Sequence, residues 1–285
     1  MIPVLKDVLG FTRVPRLALL LLVSLLAGCG GSGDDGAAAG RTVVAGFYPL
    51  AWAAERVAGA DVEVVNLTPP GAEPHDLELG AQSVGKVEDA ELVLYLGGFQ
   101  PALEDAVAAR DGGSLDLLPR GERDPHVWLD PVLFSSVVRR VAGALNGSPA
   151  STVQALRELD AEYRRGLRPC ENRVLVTTHS AFGHLADRYG LEQLSLAGSS
   201  PESEPGPREL EQLIERVRAS GATTVFAEPL VSDRIAETVA REVGAEVAVL
   251  DPLEGLSEER LDAGADYVSE MRANLATLRT ALGCR

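Results

Sequence analysis

The chain has 285 residues, and its 42 Asp and Glu residues outnumber its 26 Lys and Arg residues, which gives a formal net charge of −16. This charge disfavours binding to nucleic acid or to anionic lipid, because both carry negative charge themselves. It raises the local concentration of small cations, although many bacterial proteins are acidic for solubility alone. The length is sufficient for one large domain or for two lobes.

The first residues have the pattern of an export signal. Basic residues precede the mostly apolar run 17–26, which is too short to span a bilayer. The run leads into LAGC at 26–29, which resembles the lipobox of bacterial lipoproteins. We therefore expect residues 1–28 to be a signal peptide, Cys29 to carry the lipid and 29–41 to be a lipidated tether that anchors the protein to the outer side of the cell membrane. An ordinary signal peptide with a chance cysteine is the alternative.

Two cysteines remain once Cys29 is assigned to the lipid. An exported protein meets an oxidising environment, in which two leftover thiols usually pair. The sequence therefore predicts a disulfide between Cys170 and Cys284, with two free buried thiols as the alternative. We expect no metal-binding role for this pair, because the two cysteines lie apart from the histidine-bearing loops.

Short apolar runs alternate with helical patterns along the chain. Such runs are typical of strands that are covered on both faces, and the alternation predicts an α/β protein with parallel sheets. Strands are predicted at 42–46, 62–67, 92–96, 174–178, 192–196, 224–227 and 246–250, and helices at 50–58, 79–89, 101–109, 131–145, 181–189, 207–219, 232–243 and 257–282. The predicted domains are an N-terminal α/β lobe (42–130), a helical linker (131–168) that is interrupted around 146–149, and a C-terminal α/β lobe (169–285).

The chain has four histidines, and three of them lie in loops or at predicted strand ends. Ligands of open α/β sheets bind beyond the carboxyl ends of the strands. His75 lies in the loop after one strand, His126 lies just before a helix, and His179 directly follows a strand, as Asp251 does. Each alone is more often structural, but together they predict a four-ligand metal site between the lobes. His184 lies five residues after His179 on a predicted helix, so we expect it to point elsewhere and to have a structural or supporting role.

Six segments in a fixed order resemble the zinc and manganese solute-binding lipoproteins of ABC importers, also called the cluster A-I or zinc-uptake type. They are GAEPHDLE (71–78), DPHVWLDP (124–131), HSAFGHLADRYGL (179–191), SPESEPGPREL (200–210), FAEP (226–229) and DPLEG (251–255). The resemblance runs from about Val43 to Gly283. It implies two lobes with parallel sheets joined by a long helix, and metal ligands at His75, His126, His179 and Asp251. It also implies an ABC-type metal permease as partner, and we expect a monomer.

The ligand set favours zinc. Manganese-type members of this family are similar but carry a glutamate where this sequence has His179, and a nitrogen donor favours zinc over manganese. The sequence departs from the family in two places near the site. Residues 99–125 contain no histidine, where many zinc-type relatives have a histidine-rich loop, and Glu254 is inserted before Gly255 in a motif that usually reads Asp-Pro-Leu-Gly. The expected function is the capture of zinc, or less favourably manganese, for an ABC importer.

Two other classes of function are possible. A zinc hydrolase would use Glu73 or Glu254 as the base, but a catalytic zinc keeps an open position, and neither HExxH nor GxSxG occurs in the sequence. The family's fold could also serve an adhesin or scaffold. We expect no enzyme activity, and we regard Glu73, Glu204 and Glu228 either as supporting or entrance residues of the metal site or as surface caps.

Overall fold

A computed structural model describes residues 40–201, 203 and 205–285. The predicted signal peptide (1–28), Cys29, nearly all of the tether (29–41) and Glu204 lie outside the described residues. Within the part of the chain that the structure describes, no helix has both the length and the apolar character that crossing a membrane requires.

Two parallel four-stranded sheets form the framework, which confirms the predicted α/β fold class. The first sheet has the order β2-β1-β3-β4 and the second the order β6-β5-β7-β8. The strands are β1 (Arg41–Ala45), β2 (Val62–Asn66), β3 (Leu92–Tyr95), β4 (Gly113–Asp116), β5 (Val174–Thr177), β6 (Glu192–Ser195), β7 (Thr224–Ala227) and β8 (Glu246–Val249). Val43 in β1 and Val176 in β5 are fully buried, because helices cover both faces of each sheet.

Ten α-helices connect and cover the strands. They are α1 (Tyr48–Val57), α2 (Ala81–Asp89), α3 (Pro101–Ala109), α4 (Pro131–Leu145), α5 (Ala150–Gly166), α6 (Gly183–Tyr189), α7 (Pro207–Ser220), α8 (Arg234–Val243), α9 (Glu258–Asp262) and α10 (Tyr267–Ala281) within the described ranges. Proline and glycine mark helix ends as the sequence predicts. Pro207 begins α7, and Gly221 ends it with a φ of +68°.

The helices differ from the prediction in two places. The sheets are connected by α4 and α5, which pack against each other, rather than by the one long helix that the resemblance implies. Asn146 ends α4 with a φ of +55°, so the interruption predicted at 146–149 is confirmed. The helix predicted at 257–282 is divided at Gly264, which has a φ of +79°, and α10 starts afresh with a capping box at Asp266.

One apolar core runs through both sheet-bearing halves of the molecule. Tyr267 of α10 packs against Trp52 of α1 with ring centroids 4.9 Å apart, and Trp128 packs against Phe47 at 4.8 Å. Trp128 belongs to a short 3-10 turn (Val127–Leu129) and is 1 % exposed. Because this core joins the two halves, it fixes the loops that follow the strands of one sheet against the loops that follow the strands of the other.

Cys170 and Cys284 form a disulfide across a sequence separation of 114 residues, as predicted. The bond joins the segment that leads into β5 to the end of α10. The backbone N–H groups of Glu171 and Asn172 both donate to the carbonyl of Leu282, at 3.0 and 3.1 Å, so the same two segments are also held together by hydrogen bonds.

Candidate metal centre

Four side chains from four separate loops converge in one place. His75 follows β2, His126 precedes the 3-10 turn, His179 follows β5, and Glu254 follows β8. One ligand atom from each of these residues lies within 4.8 Å of all the others. The structure thus brings together the three histidines that the sequence predicts, and the carboxylate grouped with them is that of Glu254, whereas Asp251 lies outside this group.

The distances from Glu254 to the three histidines suit ligands of one small tetrahedral ion. Glu254 Oε1 lies 3.4 Å from His75 Nε2, 3.3 Å from His126 Nε2 and 3.2 Å from His179 Nε2. Four ligands placed about 2.0–2.1 Å from zinc in a tetrahedron are about 3.3 Å apart. His126 Nε2 is buried and has no aligned hydrogen-bond partner among the described residues. A buried nitrogen without such a partner is destabilising unless an ion or a water molecule takes up its lone pair.

Asp251, the fourth ligand predicted from the sequence, is buried, and its carboxylate is bonded within its own loop. Its Oδ1 accepts a hydrogen bond from the backbone N–H of Leu253 at 2.7 Å. Leu253 has a φ of +54°, so the chain turns sharply between Asp251 and Glu254. The turn presents Glu254 to the histidines and leaves the Asp251 carboxylate bound to its own loop. Burial raises the pKa of Asp251 to about 7, against the lowering effect of that hydrogen bond.

Carboxylates contact two of the imidazoles at Nδ1, the ring nitrogen that faces away from the cluster. His126 Nδ1 lies 2.6 Å from Asp124 Oδ1, and His179 Nδ1 lies 2.7 Å from Glu228 Oε2. The contact at His126 is a hydrogen bond, and a carboxylate that accepts from Nδ1 keeps the proton on that nitrogen and leaves Nε2 free to ligate a metal. The contact at His179 is as short but lacks aligned hydrogen-bond geometry, so there the Glu228 carboxylate acts through its charge. His184 lies outside the four-atom cluster, and its Nε2 is 3.0 Å from the backbone oxygen of Asp124. Asp124 and Glu228 lie outside the four-atom cluster as well, and each contacts the Nδ1 atom of one histidine in it.

The loop of His75 is held by three neighbouring residues. Glu73 Oε1 accepts from the backbone N–H of His75 at 2.9 Å, and Gln100 Nε2 donates to the carbonyl of Pro74 at 3.2 Å. The ring of Phe99 packs edge-on against the His75 ring with centroids 4.4 Å apart. Burial and the charge of Glu254 raise the pKa of Glu73 to about 8, although the hydrogen bond from His75 lowers it. Glu73 thus shapes the loop that presents His75.

Charges within the cluster shift the pKa values of its members in opposite directions. Burial lowers the pKa of His179, but its contacts with Glu228 and Glu254 outweigh burial and raise the pKa to about 10. The pKa of His126 is raised in the same way by Asp124 and Glu254 against burial. Burial raises the pKa of Glu254, but the three histidines outweigh burial and lower it well below its ordinary value. These shifts favour protonated imidazoles at His126 and His179 beside an ionised Glu254.

A family model described as zinc-uptake complex component A, periplasmic (ZnuA) matches residues 43–281. The chain belongs to this family. It is 30% identical to the high-affinity zinc uptake system protein ZnuA of Bacillus subtilis, over 90% of this chain and 94% of that protein. It is 32% identical to the zinc-binding protein AdcA of Streptococcus pyogenes, over 83% of this chain and 55% of that protein. The chain thus spans about half the length of several of the curated relatives that it matches.

A solved structure agrees with this membership in the ZnuA family. The Zn(II)-bound ZnuA-like domain of Streptococcus pneumoniae AdcA has a TM-score of 0.72 and 31% identity, and the match covers 85% of this chain and 98% of that domain. The family's description is that of a component of a zinc-uptake complex. The observed fold, with two parallel sheets and helices around a shared site, is the fold of this family.

Glu254, which is not among the ligands predicted from the sequence, has a recognisable signal in this ZnuA-type sequence. Glu254 is the extra residue in DPLEG (251–255), and the sequence suggests a role for it only as the catalytic base of the alternative zinc hydrolase. An extra residue in the loop after a strand indicates that the backbone of this loop follows a different path. A different path changes which side chain faces the histidines, and the chain accommodates the extra residue by the left-handed conformation of Leu253.

Proposed function

We propose that this protein captures one zinc ion with His75, His126, His179 and Glu254 and delivers it to an ABC-type importer. The observation that carries the proposal is the single oxygen of Glu254 at 3.2–3.4 Å from three imidazole nitrogens. Four protein ligands complete a tetrahedral zinc site and leave no position for a substrate or a reactive water, which favours capture over hydrolysis. Membership of the zinc-uptake family supports the same role.

The donor set supports zinc rather than manganese as the cargo. Three imidazole nitrogens and one carboxylate oxygen suit zinc, whereas manganese prefers a shell richer in oxygen. All three histidines face the same oxygen of Glu254, so this carboxylate offers one ligand atom rather than two. A single oxygen fits the low coordination number of zinc. Copper and nickel also bind imidazoles, and the pattern favours zinc over them only weakly.

We further propose that the protein acts outside the cytoplasm as a monomer, held at the membrane by a lipid on Cys29. The support is the LAGC pattern at 26–29, which resembles a lipobox, together with the description of the family as periplasmic. The net charge of −16 disfavours direct adsorption to anionic lipid, so a covalent anchor is the means of membrane attachment. The partner implied by a zinc-uptake complex is the membrane permease.

Metal competition tests the proposed cargo. Titration of metal-free protein with zinc and manganese, followed by calorimetry, should reveal one tight zinc site and much weaker manganese binding. His179→Glu replaces a nitrogen donor with an oxygen donor, so we expect the preference to shift toward manganese. His184→Gln is the control, because it removes the one histidine outside the cluster, and it should leave zinc affinity within about threefold of the wild type. Manganese binding as tightly as zinc to the wild type would contradict the proposal.

Zinc binding should also release protons. The pKa of His179 is raised to about 10 by Glu228 and Glu254 against burial, so at neutral pH zinc displaces a proton from this imidazole. The apparent affinity should therefore rise about tenfold per pH unit between about pH 6.5 and 8, and fall as pH drops. Calorimetry in two buffers with different ionisation enthalpies counts the protons, and we expect at least one per zinc, because the pKa of His126 is raised as well. A pH-independent affinity with no proton release would contradict the expectation that zinc displaces a proton from His179.

A further inference from the structure

The loop that carries Glu254 has an unfavourable backbone conformation. Leu253, directly before Glu254, has a φ of +54° although it is a branched residue rather than glycine. Its side chain is fully buried in the shared core. A residue of this type stays in the left-handed region only when its surroundings hold it there. The contacts of the loop therefore show which groups fix its shape.

Asn274 of α10 holds the start of this loop with both ends of its side-chain amide. Its Oδ1 accepts from the backbone N–H of Asp251 at 3.0 Å, and its Nδ2 donates to the carbonyl of Asp251 at 2.6 Å. Asn274 is 3 % exposed, so these bonds meet little competition from water. The amide lies in a helix that begins with a capping box and packs into the core, which makes it a rigid support.

Two further bonds hold the loop against the other half of the molecule. Trp128 Nε1 donates to the carbonyl of Pro252 at 2.7 Å, and the backbone N–H of Gly71 donates to the carbonyl of Leu256 at 3.0 Å. Trp128 lies two residues after His126, and Gly71 lies in the loop of His75. The Glu254 loop is therefore fixed at its start by Asn274 and along its length by the loops that carry two of the histidines.

We propose that Asn274 is a positioning residue for metal capture. By clamping the backbone of Asp251 it maintains the left-handed turn at Leu253 and keeps one oxygen of Glu254 directed at the three imidazoles. This role rests on the proposed function, since it presupposes that Glu254 is a ligand. Without the clamp the loop relaxes toward an ordinary conformation and Glu254 no longer presents a single fixed oxygen. Zinc then loses part of its preformed site, and the coordination geometry of the bound ion changes.

The test compares Asn274→Ala with Asn172→Ala. Asn172 is the control in the same half of the protein, because it also binds two backbone groups, accepting from Val174 N–H at 2.9 Å and donating to the carbonyl of Gly221 at 3.1 Å, in a more exposed setting. Zinc affinity is measured by competition with a chelator. The visible d–d bands of bound cobalt(II), which are intense in a tetrahedral site and weaken at higher coordination number, report the geometry.

We expect Asn274→Ala to lose about ten- to hundredfold in zinc affinity and to weaken the cobalt bands. Asn172→Ala should keep both properties.

Asn274→Leu is the second variant if the alanine variant folds poorly. Leucine has nearly the size of asparagine and carries no charge or hydrogen-bonding group, so it removes both bonds to Asp251 without leaving a cavity and should reproduce the loss of affinity and the cobalt change. Wild-type zinc affinity and an unchanged cobalt spectrum in a folded Asn274 variant would overturn the positioning role. If Glu254→Gln weakens zinc binding in the same assay while both Asn274 variants bind normally, only this inference fails. Unchanged zinc binding by Glu254→Gln would overturn the proposed function as well.

Discussion

Glu254→Gln should weaken zinc binding by about 3 kcal/mol, or roughly a hundredfold, because one of four ligands is lost from a site with a total binding free energy on the order of 10 kcal/mol. Glutamine has nearly the same shape as glutamate, but a neutral amide oxygen is a poor zinc ligand. Asp251→Asn should change zinc affinity by less than about threefold, since the amide oxygen still accepts the hydrogen bond that Leu253 donates to Asp251 at 2.7 Å.

Competition with a fluorescent chelator measures both affinities, and thermal unfolding of the metal-free proteins shows that both variants remain folded. Expression in cells that lack the native gene adds a second readout. Asp251→Asn should support growth in zinc-depleted medium, whereas Glu254→Gln should not. The opposite ranking, with Asp251→Asn the weaker zinc binder, would mean that the family's usual aspartate is the ligand and that the observed contacts of Glu254 are secondary.

Replacing both cysteines of the Cys170–Cys284 disulfide by alanine should lower the free energy of unfolding by on the order of 4 to 5 kcal/mol. The bond closes a loop with a sequence separation of 114 residues, so its loss gives the unfolded chain a large gain in conformational freedom. The two cysteines lie near the start of β5 and the end of α10, while His179 follows the opposite end of β5. Zinc affinity of the folded double variant should therefore stay close to that of the wild type.

Guanidinium unfolding of metal-free protein measures this loss, because bound zinc would stabilise the folded state and mask it. Wild-type protein unfolded in the presence of a reductant serves as the comparison and should match the double variant. An unchanged unfolding free energy would show that the backbone hydrogen bonds to Leu282 hold the two segments together without the disulfide. A large loss of zinc affinity would show that the disulfide acts on the metal site.

Most of the fold could be predicted because its strands are apolar and its helices have clear end signals. The element that was missed, β4 (Gly113–Asp116), is an edge strand with three exposed residues, so its sequence GSLD lacks the apolar run that marks a covered strand. The helix predicted at 257–282 was too long because apolar residues recur at helical spacing on both sides of Gly264. Periodicity detects the apolar face of a helix and does not detect a glycine that ends one helix before the next begins.

The candidate site could be predicted where its residues follow the carboxyl ends of strands, because ligands of parallel sheets bind there. His179 lies two residues after β5 and His75 lies in the loop after β2, where ligands of parallel sheets are expected. Asp251 satisfies the same rule, yet Glu254 faces the histidines, because the left-handed turn at Leu253 redirects the chain. The start of that loop, at Asp251, is hydrogen-bonded to Asn274, which is 23 residues further along the chain, and a local sequence pattern does not detect contacts of this range.

The location of the metal tests the central claim most directly. Crystals of the zinc-loaded protein, measured on either side of the zinc absorption edge, yield an anomalous difference map that identifies zinc independently of any assumed ligand. We expect one strong peak about 2.0–2.1 Å from Nε2 of His75, His126 and His179 and from one oxygen of Glu254. A peak at any other position, or one coordinated by Asp251 in place of Glu254, would contradict the account.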